Sequence, residues 1–384
     1  MPTTMTRADA IEVLRQRSCE KWQAHPATVL PMFVAEMDYP LAPAIKSALH
    51  AAIDRGDTGY VHAGDTSAGA AFSRFATDRW GWSPSPDRMR LTTDVSVVIV
   101  ESLRALIKPG DGVVITPPVY PPFFDLIPEA GGTVVQVPLL DDGSSWQLDL
   151  EGIDRALASG AARGVLLCHP HNPLGLVHDR STLVELSEIV ARHGGFVVSD
   201  EIHGPLVHSG TEFVPYLSVS VEARDQAIAA ESGSKAFNLA GLKAALFVAE
   251  SDRMAALIRS MPEEVTGRTG LFGLIATREG FNHARHWLDE TVAAIVANFD
   301  LLEQQLADKL PTVRLRRGDA TYLAWLDMRG LGWGDDPAKR ALESAGVALV
   351  SGLKFGTQGA GHARMNLACS PEMVVEAVDR LAAC

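Results

Sequence analysis

The stretch GVLLCHPHNPLGLVHDRSTLVELSEIVARHGGFVVSDEIH, residues 164–203, decides the fold. It begins with the run GVLLC (164–168) and ends on GFVVS (195–199), each apolar at nearly every position. A half-exposed strand alternates; a run apolar throughout suits a strand buried on both faces. Between the two runs, STLVELSEIVARHGG puts Leu183, Leu186, Ile189 and Val190 on one helical face. Thr182 and Glu185 have the spacing of a capping box, and Gly194 with Gly195 ends the helix. Strand, helix and strand at this distance predict a mostly parallel α/β sheet.

The same rhythm extends outward. GVVIT (112–116), AIAA (227–230) and AALFVA (244–249) are further buried-type strands. Beyond them, RHWLDETVAAIVANFDLLEQQLADKL (285–310) reads as one long helix, followed by TYLAWLDM (321–328), a helix near 336–345 and ARMNLA (363–368). The first 48 or so residues lack the rhythm. We expect a large domain over residues 49–285 and a smaller α+β domain from 1–48 and 286–384.

Composition narrows the function. The chain has 384 residues, 47% hydrophobic and 21% charged, with a net charge of −13. Binding to nucleic acid or to anionic membranes calls for a basic surface, so neither partner is expected. Cys19, Cys168, Cys369 and Cys384 show no CxxC spacing, which argues against a zinc or redox motif and suits a reducing compartment. The amino-terminal MPTTMTRADAIEVLRQRS has no apolar segment of signal-peptide type, and no run approaches the ~18 residues of a membrane helix. A cytoplasmic protein is expected.

In open α/β sheets ligands bind beyond the carboxyl ends of the strands, so the residues after each run carry the functional signal. Asp94-Val95-Ser96 follows RMRLTT, Tyr120 follows VVITPP, and Asn172 follows GVLLC. Asp200 and His203 follow GFVVS, and ESGSK with Lys235 follows AIAA. A phosphate-type turn, an aromatic, an amide, a carboxylate and an amine suit pyridoxal phosphate. That cofactor needs an amine for a Schiff base, an anion at its pyridinium nitrogen, phosphate donors and a ring partner.

With NPLG, SDEIH, SGSKAFNLAGLK and the arginine of ARMNLA in view, the chain resembles the fold-type I pyridoxal-phosphate enzymes, the aspartate aminotransferase superfamily. PMFVAEMDYP, PGDGVVITPPVYPPF and ATYLAWLD make it most similar to the cystathionine β-lyase / C–S lyase branch, over about residues 30–380. The resemblance implies a mostly parallel seven-stranded sheet flanked by helices, with a smaller α+β domain. It implies Lys235 as the Schiff-base lysine, Asp200 at the pyridinium nitrogen, Asn172 at the ring 3'-oxygen and Tyr120 stacked on the ring. It implies that Val95 and Ser96 bind the phosphate through backbone N–H groups, joined by Ser232 and Lys243. Tyr60 would reach the phosphate of a neighbouring subunit in a homodimer, and Arg364 would grip the α-carboxylate of an amino-acid substrate. His203 stands where the wider family has Tyr. Asp94 replaces a common glycine and suits a helix N-cap. Lys243 replaces a common arginine, keeping the charge without the fork.

The implied activity is β-cleavage of cystathionine or other L-cysteine S-conjugates to a thiol, pyruvate and ammonia, with Lys235 moving the Cα proton. An aminotransferase would use the same ring contacts and requires a keto acid. His169, His171, Asp200 and His203 allow a metal-hydrolase reading, which leaves Lys235 and Arg364 without roles. A cofactor-binding regulator would not depend on Lys235 for turnover.

Overall fold

The computed structural model describes residues 6–384; the first five residues of the amino-terminal stretch lie outside it. Seven strands form the main sheet: β1 (Met89–Thr92), β2 (Gly112–Ile115), β3 (Thr133–Gln136), β4 (Gly164–Cys168), β5 (Phe196–Asp200), β6 (Ala227–Glu231) and β7 (Ala245–Val248). Their spatial order is β1-β7-β6-β5-β4-β2-β3. Only β7 runs against the others, pairing antiparallel with both β1 and β6.

The continuous apolar runs have a direct explanation. Val165 and Leu167 of β4 enter one core while Leu166 and Cys168 enter the core on the opposite face. The second face is covered by α3 (Val95–Leu106), through Val98, Ile99 and Leu103. The first is covered by α4 (Arg180–Arg192), whose Leu183, Leu186, Ile189 and Val190 are all buried. The predicted capping box is corrected here. The N-cap is Asp179, whose carboxylate accepts from Thr182 N at 2.7 Å, so the helix starts earlier than Thr182 would place it. Aspartate there satisfies an otherwise orphan amide and favours the positive end of the helix. Gly194, at φ +60°, ends the element in the left-handed region.

A four-stranded antiparallel sheet contains β8 (Arg314–Arg316), β9 (Leu323–Asp327), β10 (Val350–Ser351) and β11 (His362–Asn366), in the order β8-β9-β11-β10. The long helix α6 (Arg285–Lys309) packs on the carboxyl-terminal helix α7 (Pro371–Ala382). Leu30–Pro31 pairs in parallel with Val347–Ala348, joining the amino-terminal segment to this half. The earlier helices are α1 (Pro43–Asp54), which runs through residue 48, and α2 (Ser67–Trp80); both pack on α5 (Leu271–His283). No helix among the described residues is long and apolar enough to cross a membrane.

Residues 32–39 form a strap between the two sheets. Buried Lys21 and Asp38 pair at 2.8 Å, and Trp22 Nε1 donates to the same carboxylate. Asn238 accepts from Met37 N and donates to Met37 O, both at 2.9 Å. Asn366 of β11 donates to Val34 O and Glu36 O. Side chains from the turn beyond β6 and from β11 thus fix the strap's backbone.

Candidate active site

The carboxyl ends of the parallel strands converge on one cavity. Asp94, Val95, Ser96, Tyr120, Asn172, Asp200, His203, Ser234, Lys235 and Lys243 line it. The sequence signals after five separate strands therefore meet at one place.

Lys235 follows β6 by four residues, and its Nζ donates to Ala35 O of the strap at 3.0 Å. Burial, then the nearby Arg364 guanidinium, pulls its pKa down to about 8, so an appreciable fraction of the amine is neutral near neutral pH. Asp200 ends β5. One carboxylate oxygen accepts from Ile202 N at 3.2 Å, and burial pushes its pKa up to about 7 against the pull of that hydrogen bond and of Lys235. A carboxylate so poorly compensated calls for a cationic partner in the cavity, which a pyridinium N–H supplies.

Arg364 projects from β11, fully inside the protein. Its guanidinium donates to Asn172 Oδ1 at 2.9 Å and to Phe33 O at 3.1 Å, and lies 5.2 Å from the centre of the Phe355 ring. Its Nε has no partner, leaving donor capacity for an anion. Because arginine can only donate, the Asn172 atom it meets must be oxygen, which turns the Asn172 NH2 group to other acceptors. Tyr120 packs edge-on to Phe123, and burial pushes its hydroxyl up to about 12. His203 is buried, its Nδ1 lacks a partner, and burial holds its pKa down to about 3, so the ring is neutral.

At the other end of the cavity α3 begins. Asp94 is its N-cap and accepts from Val97 N at 3.2 Å, while Lys243 Nζ lies 3.4 Å from the other Asp94 oxygen. The cap is occupied, and the amides of Val95 and Ser96 stay free as first-turn amides must. These amides beside a lysine suit an anion such as a phosphate. Lys243 reaches it from a left-handed backbone, φ +58°. Lysine, aspartate, asparagine, tyrosine and cradle together fit pyridoxal 5'-phosphate.

Two expected residues stand elsewhere. Ser232 is buried, donates to Ala244 O at 2.8 Å and accepts from Ser234 N; Ser234, not Ser232, lines the cavity. Tyr60 is 98% exposed and lies beside Thr58, Gly270 and Phe272, outside the cavity. Sequence reasoning missed Ala35, whose carbonyl accepts from both Lys235 Nζ and Tyr322 Oη at 3.0 Å. Tyr322 itself was also missed: its Oη meets the same carbonyl, and its ring stands edge-on to His203.

Other features carry less chemistry. His169 and His171 each donate Nε2–H to a carbonyl, of Val214 and Thr116. Among the described residues no group of three His, Cys, Asp or Glu side chains is arranged to hold a metal. A wider groove at Trp146, Leu306 and Gly318 holds Arg316 and Arg317, but Asp141, Asp300 and Glu303 already pair with them.

A seven-stranded, mostly parallel sheet with a half-buried lysine and a buried aspartate at its carboxyl edge, and a buried arginine from the second sheet, defines a pyridoxal-phosphate enzyme of the aspartate aminotransferase-like fold. The chain belongs to the aminotransferase class I and II family, whose model matches residues 30–381. Over 97% of its length it is 41% identical to a Mycobacterium leprae protein provisionally named a cystathionine beta-lyase, 96% of which is covered. It is 33% identical to cystathionine beta-lyase PatB of Bacillus subtilis, with 92% of each chain covered. A crystal structure from Corynebacterium diphtheriae, provisionally described as a PLP-dependent beta-cystathionase, superposes with a TM-score of 0.93 at 31% identity over 98% of both chains.

Proposed function

We propose that the protein is a pyridoxal-phosphate-dependent carbon–sulfur β-lyase acting on cystathionine and other L-cysteine S-conjugates. The observation that carries this is the cavity lined by Lys235, Asp200 and Asn172, with the Arg364 guanidinium bonded to Asn172 Oδ1. When bound, the cofactor supplies a ring that takes up the negative charge left as the Cα proton departs. Lys235 would be the attachment amine and, once released, the base for that proton; burial lowers its pKa, so enough of it is neutral amine to serve near neutral pH. Asp200 holds a proton on the ring nitrogen. Asn172 would present its NH2 group to the 3'-oxygen, and Tyr120 would lie against the ring. The α3 amides of Val95 and Ser96, with Lys243, take the phosphate.

Arg364 grips the substrate carboxylate with its remaining donors and so orients the Cα–H bond toward Lys235. The C–S bond then breaks and the sulfur leaves with a proton as the thiol. Water completes the balance, giving pyruvate and ammonia from the three-carbon fragment. The strap carbonyl of Ala35 holds Lys235 and Tyr322 in place for this step.

We also infer a homodimer in which Tyr60 reaches the partner's phosphate. A large aromatic at 98% exposure in the isolated chain supports it. A division into two domains is supported by the two sheets and by the Leu30–Val347 pairing, but the boundary expected at 48/49 falls inside α1. Four free thiols, two of them buried, support a cytoplasmic setting.

The test is cystathionine turnover in the absence of any keto acid. Pyruvate and thiol released together support the lyase. Product formed only on adding a keto acid makes the protein an aminotransferase.

A further inference from the structure

One pair of buried acids takes no part in the chemistry above. Glu201 follows Asp200 at the end of β5, and Glu231 ends β6, four residues before Lys235. Both are fully buried. Glu201 Oε1 accepts from Ser199 Oγ at 2.8 Å and from Tyr216 N at 2.9 Å. Glu201 Oε2 and both oxygens of Glu231 have no donor, yet the register sets the two acids side by side: Asp200 pairs with Ala230 in the parallel ladder, and Glu201 N donates to Ala230 O at 3.1 Å. Glu231 faces apolar Leu246 across its other strand contact, and Asp200 and Tyr216 are the further titratable groups near the pair. Neither acid forms an ion pair with a Lys, Arg or His among the described residues.

Two ionised carboxylates are acceptors only, and cannot face each other in a dry interior without a cation. One proton between them converts repulsion into an O–H···O hydrogen bond. We propose that Glu201 and Glu231 share a single proton and act as one positioning unit, tying the end of β5 to the end of β6 so that Asp200 is held against Lys235. The sharing stands independently of the lyase reading; only its consequence for Asp200 rests on that reading.

Burial pushes both acids up, Glu231 well above the ordinary carboxylate range, so the pair keeps its proton at neutral pH. The sign follows. An acid whose folded pKa is raised contributes stability that is complete below its unfolded pKa, about 4.3, and is lost as pH climbs through the folded value.

The spectra and urea titrations use the holoenzyme without substrate, comparing wild type with Glu231→Gln, Glu201→Gln and Glu231→Leu, and kcat is measured separately. Infrared spectroscopy of protein carrying carboxyl-13C glutamate should show a protonated-carboxyl band at neutral pH that both glutamine variants lose. The urea midpoint of wild type should fall between about pH 6 and about pH 9 and do so less in Glu231→Gln. Glutamine can donate to Glu201 and leucine cannot, so Glu231→Gln should keep about tenfold more of kcat than Glu231→Leu. If Glu231→Leu does not fold, the band and the midpoint decide alone. No labelled band in wild type, or a midpoint whose pH dependence is the same in Glu231→Gln, overturns the proposal. Neither readout involves turnover, so failure here leaves the lyase reading standing, and failure of cystathionine cleavage leaves the pair standing.

Discussion

Lys235 sits beside a carboxylate that, before a cofactor arrives, favours its protonated form. Asp200, with its pKa up to about 7, stabilises the ligand-free fold only while protonated, and that contribution is lost as pH rises through about 7. Ligand-free Asp200→Asn should therefore unfold at higher urea than wild type near pH 8, by a few kcal/mol, while binding pyridoxal phosphate far more weakly. Urea titrations and cofactor fluorescence check the two halves. Lys235→Ala should lower kcat by at least about 10⁴-fold, since both attachment and proton transfer are lost. Arg364→Lys keeps the charge but loses the planar fork, and kcat/KM for amino-acid substrates should drop about 100-fold, read in steady-state kinetics. Chemical types were legible at this scale because lysine, aspartate, asparagine and tyrosine each announce themselves after a strand. The Ala35 carbonyl was not legible, because its part is played by backbone that any residue has. Ser232 and Ser234 could not be told apart either. Two residues apart in a turn, their directions are set by which one meets the Ala244 carbonyl.

The start of α3 explains how an aspartate tolerates a phosphate site. Asp94 spends one oxygen on Val97 N and aims the other at Lys243, so the cap and the counter-charge neutralise it together. Asp94→Asn should keep the cap, change stability by only a few tenths of a kcal/mol and tighten cofactor binding; Asp94→Ala should cost about 1 kcal/mol. Thermal unfolding and cofactor titration separate the two effects. In α4 the buried face was legible but the first turn was not. Periodicity depends on many residues, whereas a cap depends on one hydrogen bond that Asp179 wins over Thr182. Leu186→Ala, at a fully buried position on that face, should destabilise by about 3 kcal/mol in urea titrations. The central strands were readable because they feed two cores, which keeps nearly every position apolar. That β7 runs antiparallel was invisible, since the same burial demands the same residues in either direction.

At the scale of the molecule, two sheets and a strap close one cavity, and contacts far apart in sequence do the closing. Arg364 and Asn172 meet across 192 positions, and Lys235 and Ala35 across 200. No local pattern encodes such pairs, so the site's membership was legible while its geometry was not. Tyr60 belongs to the same scale. Sedimentation should give about twice the 41.2 kDa of one chain, and Tyr60→Phe should weaken cofactor retention without dissociating the dimer. The central claim is carbon–sulfur cleavage driven by Lys235. The most direct measurement is the release of pyruvate and thiol from cystathionine with no keto acid present, for wild type and Lys235→Ala side by side. Equal amounts of the two products from wild type and none from the variant are predicted; turnover that waits for a keto acid, or that survives in Lys235→Ala, would contradict the account.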